Sequence, residues 1–196
     1  MKYLSFDIEA TGLEEHDLII EFAMVPFCAK EKQINYNLKK HFYIKCPSFE
    51  SLRPKLNQWV IDHNKELIEK AHSSGIEIAA FKQELINYFE SDEVKEYFEG
   101  KKITLFGKSM SAIDLPFLNR DLGWDFMRKY FNHRQLDLSC VAYALVDMDK
   151  IPAECESGSK LMSFLNMGEV AHTALEDAVN TAKMYLKLME IVKGQS

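Results

Sequence analysis

The chain has 196 residues, 47% of them hydrophobic, which is enough for one domain with a continuous core around a sheet. Its 24 Lys and Arg against 30 Asp and Glu leave a net charge of −6, which argues against holding long duplexes by charge alone; a short, end-directed substrate is easier to accommodate. Asp7 interrupts the N-terminus before a signal-peptide core can form, no apolar run approaches the ~20 residues of a membrane span, and Cys28, Cys46, Cys140 and Cys155 show neither a C-x-x-C pair nor zinc spacing, so a soluble cytoplasmic protein with free thiols is expected.

Residues 2–9 read as a strand entering a turn at Ala10-Thr11-Gly12-Leu13, and residues 18–25 as a second apolar strand broken only by Glu21; together they predict a hairpin. A third strand is expected over 34–44, before an irregular stretch marked by Cys46-Pro47 and Arg53-Pro54. Helical patterning covers 56–71 and 77–90, the second placing Ile78, Phe81, Leu85 and Phe89 on one face. Residues 103–106 read as a short buried strand, 107–112 as a loop, and 114–122 as a helix stopped by Gly123. Residues 136–146 and 160–165 read as short helices, and 173–192 as a long one with Leu175, Ala178, Ala182, Tyr185 and Met189 inward. Strands first and helices after, with a helix-strand-helix passage between, predict an α/β architecture in which helices pack on a mixed sheet.

Three places in this frame carry chemistry. Asp7 and Glu9 are two apart on a strand, so both leave the same face while Phe6 and Ile8 leave the other. On so apolar a strand, two neighbouring carboxylates cost desolvation and repulsion unless a cation compensates; the bland alternative is a solvated sheet edge. Near the C-terminus, Thr173-Ala174-Leu175-Glu176 fits a capping box, which places His172 at N′ and Asp177 at N4, the two positions that meet across a helix start. The helix dipole there also favours an anion such as phosphate, although a loop histidine beside an ordinary helix-start carboxylate has the same pattern. Asp114 opens a helix after the loop from Gly107, a position that a plain N-cap would also fill. Asp137-Leu138-Ser139 reads as a helix start, so Asp137 is not counted among the chemistry-bearing acids, and Glu21 is not either.

Taken together, Phe6-Asp7-Ile8-Glu9-Ala10-Thr11-Gly12-Leu13, the segment from Asp114 to Leu118, and His172-x4-Asp177 resemble the three exonuclease motifs of the DEDDh 3′-to-5′ exonuclease superfamily, which includes oligoribonucleases, ribonuclease T and polymerase proofreading exonucleases. The resemblance spans nearly the whole chain. It implies a ribonuclease-H-like fold, a mixed central β-sheet flanked by α-helices, in which Asp7, Glu9, Asp114 and Asp177 bind two divalent cations and His172 is the general base. All-oxygen ligands point to Mg2+ or Mn2+ rather than zinc. It further implies that Thr11 and Leu13 meet the terminal nucleotide, Leu13 wedging against a base, with backbone groups near Ala10 at the 3′ end. Lys108 and Ser109, in the loop before Asp114, are candidates for phosphate contact. The middle motif departs from the family pattern: Ser109 stands where Asn is usual and Ile113 where an aromatic residue usually precedes the aspartate, which bears on the walls around the penultimate nucleotide. Trp59, His72 and Trp124 fit surface or core roles better than base stacking.

The activity so implied is stepwise release of nucleoside 5′-monophosphates from single-stranded RNA or DNA 3′ ends. The alternatives are a proofreading subunit bound to a DNA polymerase and a catalytically silent nucleic-acid-binding module, and family habit suggests a homodimer.

Overall fold

The computed structural model describes residues 1–168 and 173–194. The predicted hairpin is its spine: β1 (Lys2–Ala10) runs antiparallel to β2 (Ile19–Cys28) from Lys2 opposite Cys28 to Glu9 opposite Glu21, with a register shift between Glu9 and Ala10. The expected strand over 34–44 is instead two, β3 (Gln33–Ile34) and β4 (Lys40–Tyr43), both antiparallel to β2. Between them Tyr36–Leu38 forms a 3-10 turn, because the Asn35 side chain takes the Asn37 N–H at 3.2 Å and competes with the ladder.

The next segment is more finely divided than its periodicity predicts. Short α1 (Phe49–Leu52) precedes α2 (Gln58–His63) and α3 (Lys65–Ser74), so the single helix expected over 56–71 breaks at Asn64, whose φ of −107° and ψ of 9° leave the helical region. In α4 (Ile78–Glu90), Phe81, Leu85 and Phe89 are buried as expected, but Ile78 occupies the first position and is 37% exposed. Three helices were not foreseen: α1, which falls inside the stretch expected to be irregular, α5 (Asp92–Tyr97) and, further on, α7 (Trp124–Tyr130); at four, six and seven residues they are too short to display a period.

The second half closes the sheet. β5 (Leu105–Gly107) is parallel to β1, and Ile103, expected in that strand, makes only an isolated bridge to Phe131. α6 (Asp114–Leu122) ends at Gly123, whose φ of +85° suits glycine and turns the chain into α7. Leu136 and Asp137, expected to open a helix, form edge strand β6, parallel to β5, before α8 (Leu138–Asp147); α9 (Gly158–Phe164) and α10 (Ala174–Gly194) follow. The strand order is β3-β2-β1-β5-β6, with β4 also on β2.

Alternation along β1 and β2 builds a core on each face. Leu4, Phe6, Ile8, Phe22 and Met24 pack with the α4–α7 side, while Tyr3, Phe27 and Phe106 pack with α8, α9 and α10. Rings of Tyr3, Phe27, Phe106 and Tyr185 lie 5.1–6.1 Å apart and anchor the middle of α10 to the sheet. Nearer its start, Ala174, Ala178 and Ala182 are fully buried at four-residue spacing, so α10 lies close against the strands; Leu175 and Met189 are only half-buried. α1–α3 cover the β2 end around Ile20. Among the described residues, no helix is long and apolar enough to cross a membrane. Cys28, Cys46 and Cys155 are buried and Cys140 is exposed, all as free thiols.

Candidate active site

The β1 pleat turns Asp7 and Glu9 towards α10, the side on which Ser5 donates to the Ala178 carbonyl at 2.7 Å. Parallel pairing with β5 stops at Ser5 and Phe106, so among the described residues the far end of β1 has no paired strand on that edge. Asp114 fills the gap: its Oδ1 accepts the Ile8 N–H at 3.1 Å, which holds the α6 start against β1. Asp114 is buried and occupies the first helical position, with Ile113 as N-cap. Asp177 comes from the first turn of α10. One carboxylate oxygen from each of Asp7, Glu9 and Asp177 lies within 4.8 Å of the others.

Such a cluster is strained when it carries only its own charge. Burial pushes Asp7 well above the ordinary carboxylate range, and the charges of Asp114, Glu9 and Asp177 push further. Glu9 is pushed up to about 8, first by burial and then by Asp177, Glu21 and Asp114. Asp114 is pushed up to about 7 by burial, with Asp137 adding to the rise and the Ile8 N–H opposing it. Lys108 pulls all three down. An all-carboxylate set that repels itself and is relieved by positive charge fits hard divalent cations such as Mg2+ or Mn2+.

The α10 start is capped as expected. The Thr173 hydroxyl accepts the Glu176 N–H at 3.4 Å, although the Glu176 carboxylate takes the Thr173 hydroxyl proton at 2.9 Å. His172 lies outside the described residues. Asp137 is a helix cap and not a member of the cluster: its Oδ1 accepts the N–H groups of both Ser139 and Ser109 at 2.9 Å.

Ser109 sits at φ +56°, the left-handed region that Asn tolerates better than Ser, and its hydroxyl pairs with Ser139 Oγ at 2.9 Å. Lys108 packs beside Gly158, where a Cβ would come within 3.2 Å of the Lys108 Nζ, so the missing side chain leaves room for the lysine. Ala10 is half-buried at the register shift. Thr11 is buried and fastens the turn, donating to Asp17 Oδ1 at 2.8 Å and accepting the Leu18 N–H at 2.9 Å. Leu13 is 72% exposed and, with Ile113, faces a cavity of 340 Å³ floored by Phe117. Arg120 ties this loop to α6 by donating to the carbonyls of Glu15 and Asp17 at 2.6 and 2.7 Å. Of the aromatic candidates, exposed Trp59 stacks on His63, exposed Trp124 lies under the Arg128 guanidinium, and His72 Nδ1 pairs with the Cys46 carbonyl.

The loop depends on Gly12. A Cβ there would fall 2.3 Å from Asp17 Oδ2, on the carboxylate that accepts from Thr11 and from the Glu14 N–H. Gly12→Ala is therefore expected to cost about 1–3 kcal/mol in thermal unfolding. A variant as stable as the parent would show that the turn yields elsewhere.

Sequence reasoning missed Glu21. It is fully buried on β2 opposite Glu9, accepts the Ala174 N–H through Oε2 at 3.1 Å, and meets His41 Nε2 through Oε1 at 2.5 Å. The signal available was a lone acid in an otherwise apolar run.

The model of the RNase T exonuclease family matches residues 4–185. The chain belongs to this exonuclease family. Among solved structures, this exonuclease-family chain is similar to cell-death related nuclease 4 (TM-score 0.69, 14% identity, 97% of this chain and 64% of that one). It is also similar to the zinc-bound E. coli ExoI–ssDNA complex (0.65, 18%, 100% and 41%) and to S. pombe Pop2p with Mg2+ and Mn2+ (0.61, 15%, 96% and 82%). It spans less than two thirds of the first two. These likenesses identify the fold as ribonuclease-H-like. No curated protein sequence matches the chain of this family member significantly.

Proposed function

We propose that the chain is a divalent-metal-dependent 3′-to-5′ exonuclease that shortens single-stranded RNA or DNA by one nucleoside 5′-monophosphate at a time. The observation that carries this reading is the convergence of Asp7, Glu9 and Asp177 within 4.8 Å, with buried Asp114 pinned to the same strand. It is supported by family membership, by the neighbour solved with single-stranded DNA, and by the neighbour solved with Mg2+ and Mn2+.

In this reading Asp7, Glu9, Asp114 and Asp177 hold Mg2+ or Mn2+, which when bound supply an activated water and stabilise the leaving 3′ oxygen. His172 takes the proton of the attacking water. Leu13 and Ile113 offer apolar edges beside the cavity for the last bases, and Arg120 keeps their two elements together. Lys108 offers positive charge near the phosphate. The 196 residues act as one domain in the cytoplasm.

Manganese-dependent digestion of 5′-labelled single-stranded RNA and DNA, run beside His172→Ala, tests the proposal. Stepwise ladders that shorten from the 3′ end and vanish in the variant are the expected result. Internal cuts, or tight oligonucleotide and metal binding with no cleavage, would replace it with an endonuclease or a silent binding module.

A further inference from the structure

Glu21 is an expensive residue to keep where it is. A carboxyl with no exposed surface sits directly opposite Glu9, whose own ionisation it opposes. Nothing in the chemistry above uses it. Its hydrogen bonds explain it: Oε2 takes the Ala174 N–H, one of the first-turn donors that the helix cannot satisfy itself, across 153 positions of sequence. Oε1 is held by His41, which β4 presents from the other side of β2 through the Ala23–His41 pairing.

The position of that contact matters. Ala174 lies three residues before Asp177, and Ala178, which Ser5 holds through its carbonyl, lies one residue after it. Both alanines are fully buried against the sheet. Asp177 is thus bracketed by a bond to β2 on one side and a bond to β1 on the other. The Ser5 bond fixes the helix to β1 one residue beyond Asp177, and the Glu21 bond fixes its first residue to β2, at the N-terminal end that is joined to the His172 segment.

We infer that Glu21 is a positioning residue: its buried carboxyl, oriented by His41, holds the first turn of α10 on β2 so that Asp177 closes the cluster with Asp7 and Glu9. The inference rests on reading that cluster as the metal centre.

The test is Mn2+ affinity, measured by electron paramagnetic resonance titration of the full chain, with turnover and thermal melting alongside. Glu21→Ala is expected to bind Mn2+ about tenfold or more weakly, the usual consequence of losing a group that orients a ligand. Glu21→Gln keeps an acceptor for the Ala174 N–H and a donor for His41, so it is expected to recover most of the affinity. If Gln loses as much as Ala, the charge of Glu21 matters rather than its hydrogen bond, and the positioning role is overturned. It is equally overturned if Ala binds Mn2+ like the parent. Should Glu21→Ala fail to fold, His41→Ala decides, since it removes a half-buried ring and frees the carboxyl: weakened Mn2+ binding supports the inference and unchanged binding overturns it. A parent protein that cleaves stepwise but binds as its variants do sinks this inference alone; a parent that binds no Mn2+ sinks the metal-centre reading and this inference with it.

Discussion

Asp7→Asn is expected to lower the rate of stepwise digestion by 10³-fold or more, about 4 kcal/mol of transition-state stabilisation, while raising the melting temperature of the metal-free protein near pH 8. The two effects have one cause. Asp7 stands between Glu9, Asp114 and Asp177, all of which oppose its ionisation, and burial opposes it most. At that pH the side chain either carries a charge against three like neighbours or holds a proton that the unfolded chain would release, and either state costs folding free energy. The amide has the same shape without that cost. It also lacks the anionic oxygen that a hard cation needs, so the stabilisation that added Mn2+ gives the parent protein should shrink in the variant. Single-turnover kinetics and melting curves with and without Mn2+ decide the matter. A variant that melts below the parent in the absence of metal would show that Asp7 makes favourable contacts that outweigh the repulsion.

The second large effect concerns pH. Glu9 and Asp114 are raised to about 8 and about 7, so between pH 4 and 8 the folded protein binds more protons than the unfolded chain. Stability that is fully present below the unfolded carboxyl pKa of about 4 is therefore lost as pH rises towards 8. Glu90 has the opposite shift, down to about 2 through Lys129, Lys95 and Tyr130, but its contribution is lost only as pH falls below about 4.5. It lies outside the window. The metal-free protein should thus melt lower near pH 8 than near pH 5.5, by on the order of 5 °C. Divalent cations bind the ionised carboxylates and displace their protons, so the stabilisation by Mn2+ should be larger at the higher pH, and turnover should rise over the same interval. Melting curves in chelator and in Mn2+ across this range provide the measurement. A chelated protein whose melting temperature is flat or rising from pH 5.5 to 8 would mean that the acids are solvated and unstrained.

The parts of this arrangement that could be read from sequence are those fixed by local rules. Two-residue alternation sets Asp7 and Glu9 on one face of β1 whatever surrounds the strand, and the Thr173–Glu176 pair marks the start of α10 to the residue. The cap role of Asp137 followed in the same way. What escaped depends on partners distant in sequence. Glu21 looks like a stray polar residue until β4 and α10 are placed over it, and only then do His41 and Ala174 supply its hydrogen bonds. Asn64 looks compatible with a continuous helix, yet it is buried at the junction where α2 and α3 separate. Thr11, expected at the terminal nucleotide from its motif, has in addition a structural part that the motif does not show, closing the turn through Asp17 and Leu18, a closure visible only in three dimensions. Leu13, by contrast, is free to face the cavity.

The cluster also draws its acids from the first strand, a central helix and the last helix, so 168 positions of chain separate Glu9 from Asp177. On a ribosome adding about 5–20 residues per second, roughly 10–30 s pass between the synthesis of the two. Throughout that interval the emerging chain can pair β1 with β2, yet it cannot assemble the carboxylate set. A nascent or C-terminally clipped copy that lacks α10 therefore contains the strands of the sheet with Asp7, Glu9 and Asp114 but not Asp177, so the fold's scaffold is complete before its acidic cluster is.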